Sequence, residues 1–168
     1  MSNKFIYSFK LEKTAGFTAH LFSLWESLYN TFEAFFEDPY VIIKDKKYKF
    51  DPMDKDFIIN KFENEEYLRF KNENNYEGLL VDKEGEKHDL IVFTVKCDTS
   101  QKVADYFKNV LLSLPNTLLA KVDEIDMSLQ IRRKCLGLED MVGVRGISLL
   151  YWLNYFNQET MQKYGGEA

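Results

Sequence analysis

Residues 4–12 alternate so that Phe5, Tyr7, Phe9 and Leu11 share one face, which is the period of a strand with one buried face. A second β signal covers residues 76–97, where two apolar runs flank the polar residues 83–86 and predict a hairpin. We expect Gly85 to provide an unusual backbone angle in its turn. Residues 90–95 are nearly all apolar or β-branched, which predicts a central strand buried on both faces. Further strands are predicted for residues 40–44, 47–50 (after a turn at 45–47), 67–71 and 147–156.

Apolar residues at three- and four-residue steps predict two amphipathic helices in the first half of the chain. The first follows Thr14 and ends at Asp38-Pro39, because the residue before a proline avoids helical geometry. Its apolar stripe consists of Phe17, Leu21, Leu24, Leu28, Phe32 and Phe35, widened by Trp25 and Phe36. The second begins at Asp51-Pro52, an N-cap followed by a proline at the first helical position. Its inward side chains are predicted to be Met53, Phe57, Ile58 and Phe62.

The second half of the chain contains one more long amphipathic pattern. Ser100 predicts the N-cap of a helix that ends at residues 114–116. Residues 117–137 fit either a helix or a strand followed by a short amphipathic segment. Asn157 predicts the cap of a short final helix, which Gly165 ends.

These elements predict the α+β fold class, with a mostly antiparallel sheet packed against two longer helices in a single domain over residues 1–168. A chain of 168 residues with 45 % apolar and 15 % aromatic residues has the composition of a globular domain and excludes a disordered one. No apolar run reaches the roughly 18 residues of a membrane helix, and the N-terminus lacks an export signal. We therefore expect a cytoplasmic protein that does not bind membranes, in which Cys97 and Cys135 are buried or half-buried thiols.

No sequence motif for catalysis, cofactor binding or metal binding is complete in this chain. Phosphate-binding glycine loops and nucleophile elbows do not occur, and Gly143-Val-Arg-Gly146 has the spacing of a tight turn. His20 and His88 are far apart in sequence, which disfavours a zinc site. His88-Asp89 would have to converge with Cys97 to act as base and nucleophile. We expect no enzyme, no cofactor and no metal, and an enzyme with dispersed catalytic residues remains the least favoured alternative.

The excess negative charge lies in the middle of the chain. The formal net charge is −5, and residues 51–100 carry thirteen acidic against seven basic residues, whereas residues 1–50 and 101–168 are nearly balanced. Nucleic-acid binding needs clustered Lys and Arg, so we expect a basic protein as the partner instead. The predicted contact residues are Glu63, Glu65, Glu66, Tyr67, Glu73, Tyr76 and Glu77. The alternative is that these carboxylates are simply solvated surface.

Residues 146–165 contain an aromatic strand pattern, the sequence Trp152-Leu-Asn-Tyr-Phe156, a short helix pattern and Gly165. In this order they resemble a segment of bacterial immunity proteins, namely the immunity protein 52 family and its relatives among type VI secretion immunity proteins. The resemblance implies structural roles at these positions, with Trp152 and Phe156 anchoring the corner between strand and helix. The motif residues are Trp152, Asn154, Tyr155, Phe156 and Gly165.

The resemblance also implies a function. Immunity proteins are cytoplasmic antidotes that bind a cognate antibacterial toxin, in some cases a nuclease-like one, and occlude its active site. The toxin gene is then expected immediately upstream. An acidic adaptor or chaperone of a secretion system or phage particle is the alternative, and a homodimer remains open.

Overall fold

The computed structural model describes residues 3–32, 38–72, 77–97, 99–124, 142–143, 146–147 and 153–163. The strands are β1 (Asn3–Glu12), β2 (Tyr40–Ile43), β3 (Lys46–Lys49), β4 (Tyr67–Lys71), β5 (Glu77–Asp82), β6 (His88–Cys97), β7 (Thr117–Glu124), β8 (Val142–Gly143), β9 (Gly146–Ile147) and β10 (Leu153–Phe156). The helices are α1 (Phe17–Thr31), α2 (Lys55–Asn64), α3 (Ser100–Ser113) and α4 (Gln158–Lys163).

Eight strands form one antiparallel sheet in the order β10-β7-β1-β6-β5-β4-β2-β3, and β8 pairs with β9 separately. The alternation in β1 is confirmed, because Phe5, Tyr7, Phe9 and Leu11 are all buried. These side chains lie in the interior of the sheet, since β1 pairs with β6 on one side and β7 on the other. Strand β1 therefore contributes four side chains to the hydrophobic core.

Helices α1, α2 and α3 pack on the face of the sheet to which these aromatic side chains point. Tyr7 stacks on Phe93 with ring centroids 4.6 Å apart and meets Tyr106 of α3 edge-on at 5.9 Å. Trp25 of α1 lies 4.7 Å from the ring of Phe70 in β4. The α+β class and the antiparallel sheet are confirmed. The prediction of two longer helices is incomplete, because α2, with 10 residues, packs against α1 beside the helices of 15 and 14 residues.

Helix α1 ends at Thr31, so its predicted end at Asp38-Pro39 is wrong. Phe32 has left the helical conformation, with φ −133° and ψ 72°, and its ring meets that of Tyr106 edge-on at 5.0 Å. A residue before proline disfavours helical geometry, but a helix can end earlier, and here it ends where the Phe32 ring packs against α3. The apolar stripe is confirmed from Phe17 to Phe32, and Phe35 and Phe36 lie outside the described residues.

Helix α2 begins three residues later than predicted. Asp54 is its N-cap, and the Asp54 carboxylate accepts a hydrogen bond of 3.0 Å from the backbone N–H of Phe57. Asp51 instead closes a turn by accepting a 2.9 Å bond from the N–H of Met53. Met53 therefore precedes the helix and is 58 % exposed, so its predicted inward orientation is wrong, whereas Ile58 and Phe62 are buried as predicted.

Strand β6 is central in the sheet, as predicted, but it is not buried on both faces. Ile91, Phe93 and Val95 face the helices and are buried, whereas Leu90 on the opposite face is 38 % exposed. The reason is that α1, α2 and α3 cover only one face. In the β5–β6 turn, a Cβ on Gly85 would lie 2.6 Å from the carbonyl oxygen of His88. Glycine is needed there for space and not for a positive φ, which corrects the predicted reason.

Three shorter predictions change in detail. The β2–β3 turn consists of Lys44 and Asp45, with φ of 48° and 63°, in place of residues 45–47. Two consecutive positive φ angles are typical of the two-residue turn that matches strand twist. Residues 117–124 form a strand, and Thr99 takes the N-cap position before Ser100. The pairing of Gly143 with Gly146 agrees with the predicted tight turn, and the strand predicted over 147–156 is described only at residues 147 and 153–156.

Candidate functional site

The described part of the predicted contact surface lies where α2 ends and β4 begins. Glu63 is in the last turn of α2, Glu65 and Glu66 form the connection, and Tyr67 opens β4. All except the half-buried Glu65 are exposed. Glu73 and Tyr76 lie outside the described residues, and Glu77 begins β5 with its side chain not described. We call Glu63, Glu65, Glu66 and Tyr67 the acidic corner.

The backbone holds the acidic corner in place through hydrogen bonds to its neighbours. Glu65 caps α2 in an extended conformation, and its N–H donates to the carbonyl of Lys61 at 3.1 Å. The N–H of Lys83 donates to the carbonyl of Glu66 at 2.7 Å, and the Lys83 ammonium donates to the carbonyl of Phe62 at 2.8 Å. The two hydrogen bonds of Lys83 therefore connect the β5–β6 turn to the end of α2, and the two segments lie side by side.

An open polar cavity of about 440 Å³ lies beside the acidic corner. Its wall contains four carboxylate and two cationic side chains, so acidic groups dominate. They are Asp45, Glu65, Glu66, Glu84, Lys44 and Arg69. Tyr67 also lines this cavity and its side chain is 37 % exposed, a position from which an aromatic ring can pack against a partner. The arrangement can attract a basic protein surface and bury one aromatic contact.

Four charged residues of this cavity escaped the sequence analysis. Asp45 and Lys44 come from the β2–β3 turn, Arg69 from β4 and Glu84 from the β5–β6 turn. The register explains their approach, because Tyr67 pairs with Asp82 and Arg69 pairs with Ile42 across neighbouring strands. The predicted hairpin could have indicated Glu84, which lies in its turn. If β4 and β5 are antiparallel neighbours, the turn after β5 lies near the start of β4.

The residues considered for acid–base chemistry do not come together. His88 and Asp89 are successive strand residues, with His88 half-buried and Asp89 buried on the helix-covered face. Cys97 lies at the far end of β6, roughly 30 Å away at strand spacing, and its thiol donates to the carbonyl of Thr99. Desolvation lowers the pKa of His88 below its usual value, and Lys10 and Lys87 act in the same direction. These three residues therefore do not form a nucleophile and base pair.

Asp89 is buried beside the ammonium group of Lys13. Its carboxylate lies 3.4 Å from the ammonium of Lys13, too far for a good hydrogen bond but close enough for charge attraction. The same ammonium donates to the carbonyl of Lys83 at 2.6 Å. Lys13 therefore connects the chain after β1 with both ends of the β5–β6 turn.

The C-terminal motif residues that are described lie in β10, at one edge of the sheet. Asn154 pairs with Lys121 and Phe156 with Leu119, while Tyr155 packs partly buried against the core. Helix α4 follows directly after Asn157, so the predicted order of strand and short helix is confirmed. Trp152 and Gly165 lie outside the described residues.

Within the described ranges, no three His, Cys, Asp or Glu side chains are grouped so that they could hold a metal ion. None of the described helices is long and apolar enough to cross a membrane. Comparison of the chain with protein-family models, with curated proteins and with solved structures finds no match.

Proposed function

We propose that this chain is an immunity-type binding protein that neutralises a cognate antibacterial toxin by covering its active site. The observation that carries the proposal is the acidic corner, where Glu65, Glu66 and the exposed Tyr67 line a cavity that also contains Asp45 and Glu84. The resemblance of residues 146–165 to immunity proteins supplies the class of partner.

Charge makes a basic toxin surface the favoured partner for this corner. Opposite charges speed the encounter of two proteins, and the effect weakens as salt screens them. Tyr67 adds an apolar contact to this charge attraction, because an exposed aromatic ring contributes contact area and orientation when a partner covers it. Occlusion needs no catalytic group on this chain, so the proposed activity is binding alone.

The first prediction concerns association with the product of the gene immediately upstream. The triple variant Glu63→Lys, Glu65→Lys and Glu66→Lys should slow association about tenfold or more at low salt, because it reverses the field that attracts the partner. Stopped-flow association at several salt concentrations measures this, and the salt dependence should weaken in the variant.

The matched control changes the net charge equally at other exposed carboxylates, Glu12→Lys, Asp105→Lys and Glu159→Lys. This triple variant should associate much faster than the first. If both triple variants associate alike, the acidic corner is not the contact surface. If the upstream gene product neither binds the chain nor is neutralised by it in co-expressing cells, the function itself is wrong. Co-purification with a structural component of a secretion system would then favour an adaptor.

A further inference from the structure

A second cavity lies between α1 and the start of α2, separate from the acidic corner. It has a volume of about 230 Å³, and we call it the α1–α2 pocket. Its apolar walls are formed by Phe22, Trp25 and Tyr29 of α1 and by Pro52, Met53 and Ile58 from the region of α2.

The floor of the α1–α2 pocket is held firmly. Trp25 is 2 % exposed, packs against Phe62 and Phe70, and approaches the carbonyl of Pro52 with its indole N–H at 3.5 Å. Ile58 is also buried. A pocket with such a floor keeps its shape when a partner enters, so that little conformational entropy is lost on binding.

The rim of the pocket contains an exposed side chain, whereas the floor is buried. Met53 is 58 % exposed, although it adjoins an apolar cavity. A methionine side chain is flexible and polarizable, so it adapts to the shape of a partner group. Exposed single apolar residues are common, but one beside a preformed apolar cavity adds contact area for an occupant.

The charged residues that line the pocket are Glu26 and Lys55, and acidic residues adjoin this lining in sequence. Lys55 forms an ion pair of 3.0 Å with Glu26, and both side chains are largely exposed, at 63 % and 44 %. Exposed ion pairs of this kind are weak, so this one can open. Asp51, Asp54 and Asp56 do not line the pocket, but all three are exposed and each is a sequence neighbour of a lining residue, Pro52, Met53 or Lys55. A positively charged partner segment therefore fits the rim.

The size of the pocket limits its occupant. Sites for drug-sized ligands usually have about 300–1,000 Å³, and this pocket is smaller. We propose that the α1–α2 pocket receives one large apolar or aromatic side chain of a partner protein, and that this side chain is flanked by Lys or Arg. The inference rests on the proposed function, since it names the part of the basic partner that becomes buried.

Capped tripeptides test the pocket without the toxin. The protein is labelled with ¹³C at its methionine methyl groups, and acetyl-Arg-Phe-Arg-amide is added. Of the five methionines, only the Met53 methyl signal should shift, with saturation in the millimolar range. Peptides with Ala in place of Phe, or Glu in place of both Arg residues, should bind at least tenfold more weakly. Equal shifts with all three peptides, or none with any, would overturn the inference.

The complex with the upstream gene product provides the second arm. Met53→Asp should raise its Kd about tenfold or more, because a carboxylate at the rim keeps the apolar anchor from being buried. Leu112→Asp is the matched control, since Leu112 is an exposed apolar residue of α3 at 83 % exposure, and it should leave the Kd nearly unchanged. An unchanged Kd for Met53→Asp would refute the pocket as a docking site and leave the proposed function standing. Absence of any complex, together with peptide binding, would instead refute the proposed function alone.

Discussion

At the scale of single residues, Tyr7 and Tyr106 each place an aromatic ring in the core and form a hydrogen bond with the hydroxyl. Tyr7 is fully buried, and its hydroxyl donates to the carbonyl of Val103 at 3.1 Å. The hydroxyl of Tyr106 accepts a hydrogen bond of 3.2 Å from Ser27. Burial raises the pKa of both phenols well above the usual value of 10, and for Tyr7 the neighbouring Cys97 and Tyr106 raise it further. Both rings therefore remain protonated in the folded protein.

This difference in pKa predicts sensitivity to alkali. In the unfolded chain the two phenols ionise near pH 10, whereas in the folded protein they do not, so rising pH favours unfolding. The stabilising difference is fully present below pH 10 and is lost as the pH rises above it. Each phenol should contribute up to about 1.4 kcal/mol per pH unit to the fall in unfolding free energy. Urea titrations followed by circular dichroism at pH 8, 10 and 11 measure it.

The variants Tyr7→Phe and Tyr106→Phe provide the check. Each should be about 1 kcal/mol less stable at pH 8 because a hydrogen bond is lost. Combined, they should flatten the decline above pH 10. Tyr48→Phe is the control for removing a hydroxyl from an exposed ring. An unchanged decline in the double variant would show that other groups cause it.

At the scale of elements, the start of α2 illustrates how local signals compete. Asp51-Pro52 has the residues of a helix start, and so has Asp54 with its following polar residues. The first of these starts is the one predicted from the sequence, whereas the structure has the second. The indole of Trp25 approaches the carbonyl of Pro52 and packs beside Phe50, which holds the segment before the helix against α1. With residues 51–53 held in a turn, the helix begins at Lys55.

The two aspartates therefore predict different effects on stability. Asp54→Ala should lower the free energy of unfolding by about 1 kcal/mol, because the N–H of Phe57 loses its capping acceptor. Asp54→Ser should recover most of this loss. Asp51→Ala, which removes only a turn contact to the N–H of Met53, should have a smaller effect. Chemical denaturation of the three variants measures the differences, and a larger loss for Asp51→Ala would contradict this assignment of the cap.

At the scale of the whole molecule, the sheet has one face packed against α1, α2 and α3. Alternate residues of a strand therefore point toward the helices or toward the uncovered face. Neighbours in β6 show the contrast, because Ile91 is fully buried while Leu90 is 38 % exposed. The two side chains are similar in size and composition, so they form a matched pair. Sequence alone placed both in a strand buried on two faces.

Truncation of this pair tests the layering. Ile91→Ala should lower the free energy of unfolding by about 2–5 kcal/mol, since it removes buried methyl groups and leaves a cavity. Leu90→Ala should lower it by about 1 kcal/mol or less, as for a surface substitution. Equilibrium unfolding in urea measures both. Equal losses would mean that both faces of β6 are packed alike.

The amino-acid sequence by itself determined the type of most strands and helices, because the spacing of apolar residues records which side of each element meets the core, whereas residues 117–124 were assigned to a strand only by the structure. It also placed the excess negative charge in residues 51–100, and so pointed to Glu63, Glu65, Glu66 and Tyr67. Only the tertiary structure decided the order of the strands. Antiparallel backbones offer the same hydrogen-bonding groups to any neighbour, so side-chain packing between distant segments selects the pairing. That selection places Glu84 beside Glu66 and leaves a pocket between α1 and α2, neither of which any local pattern encodes.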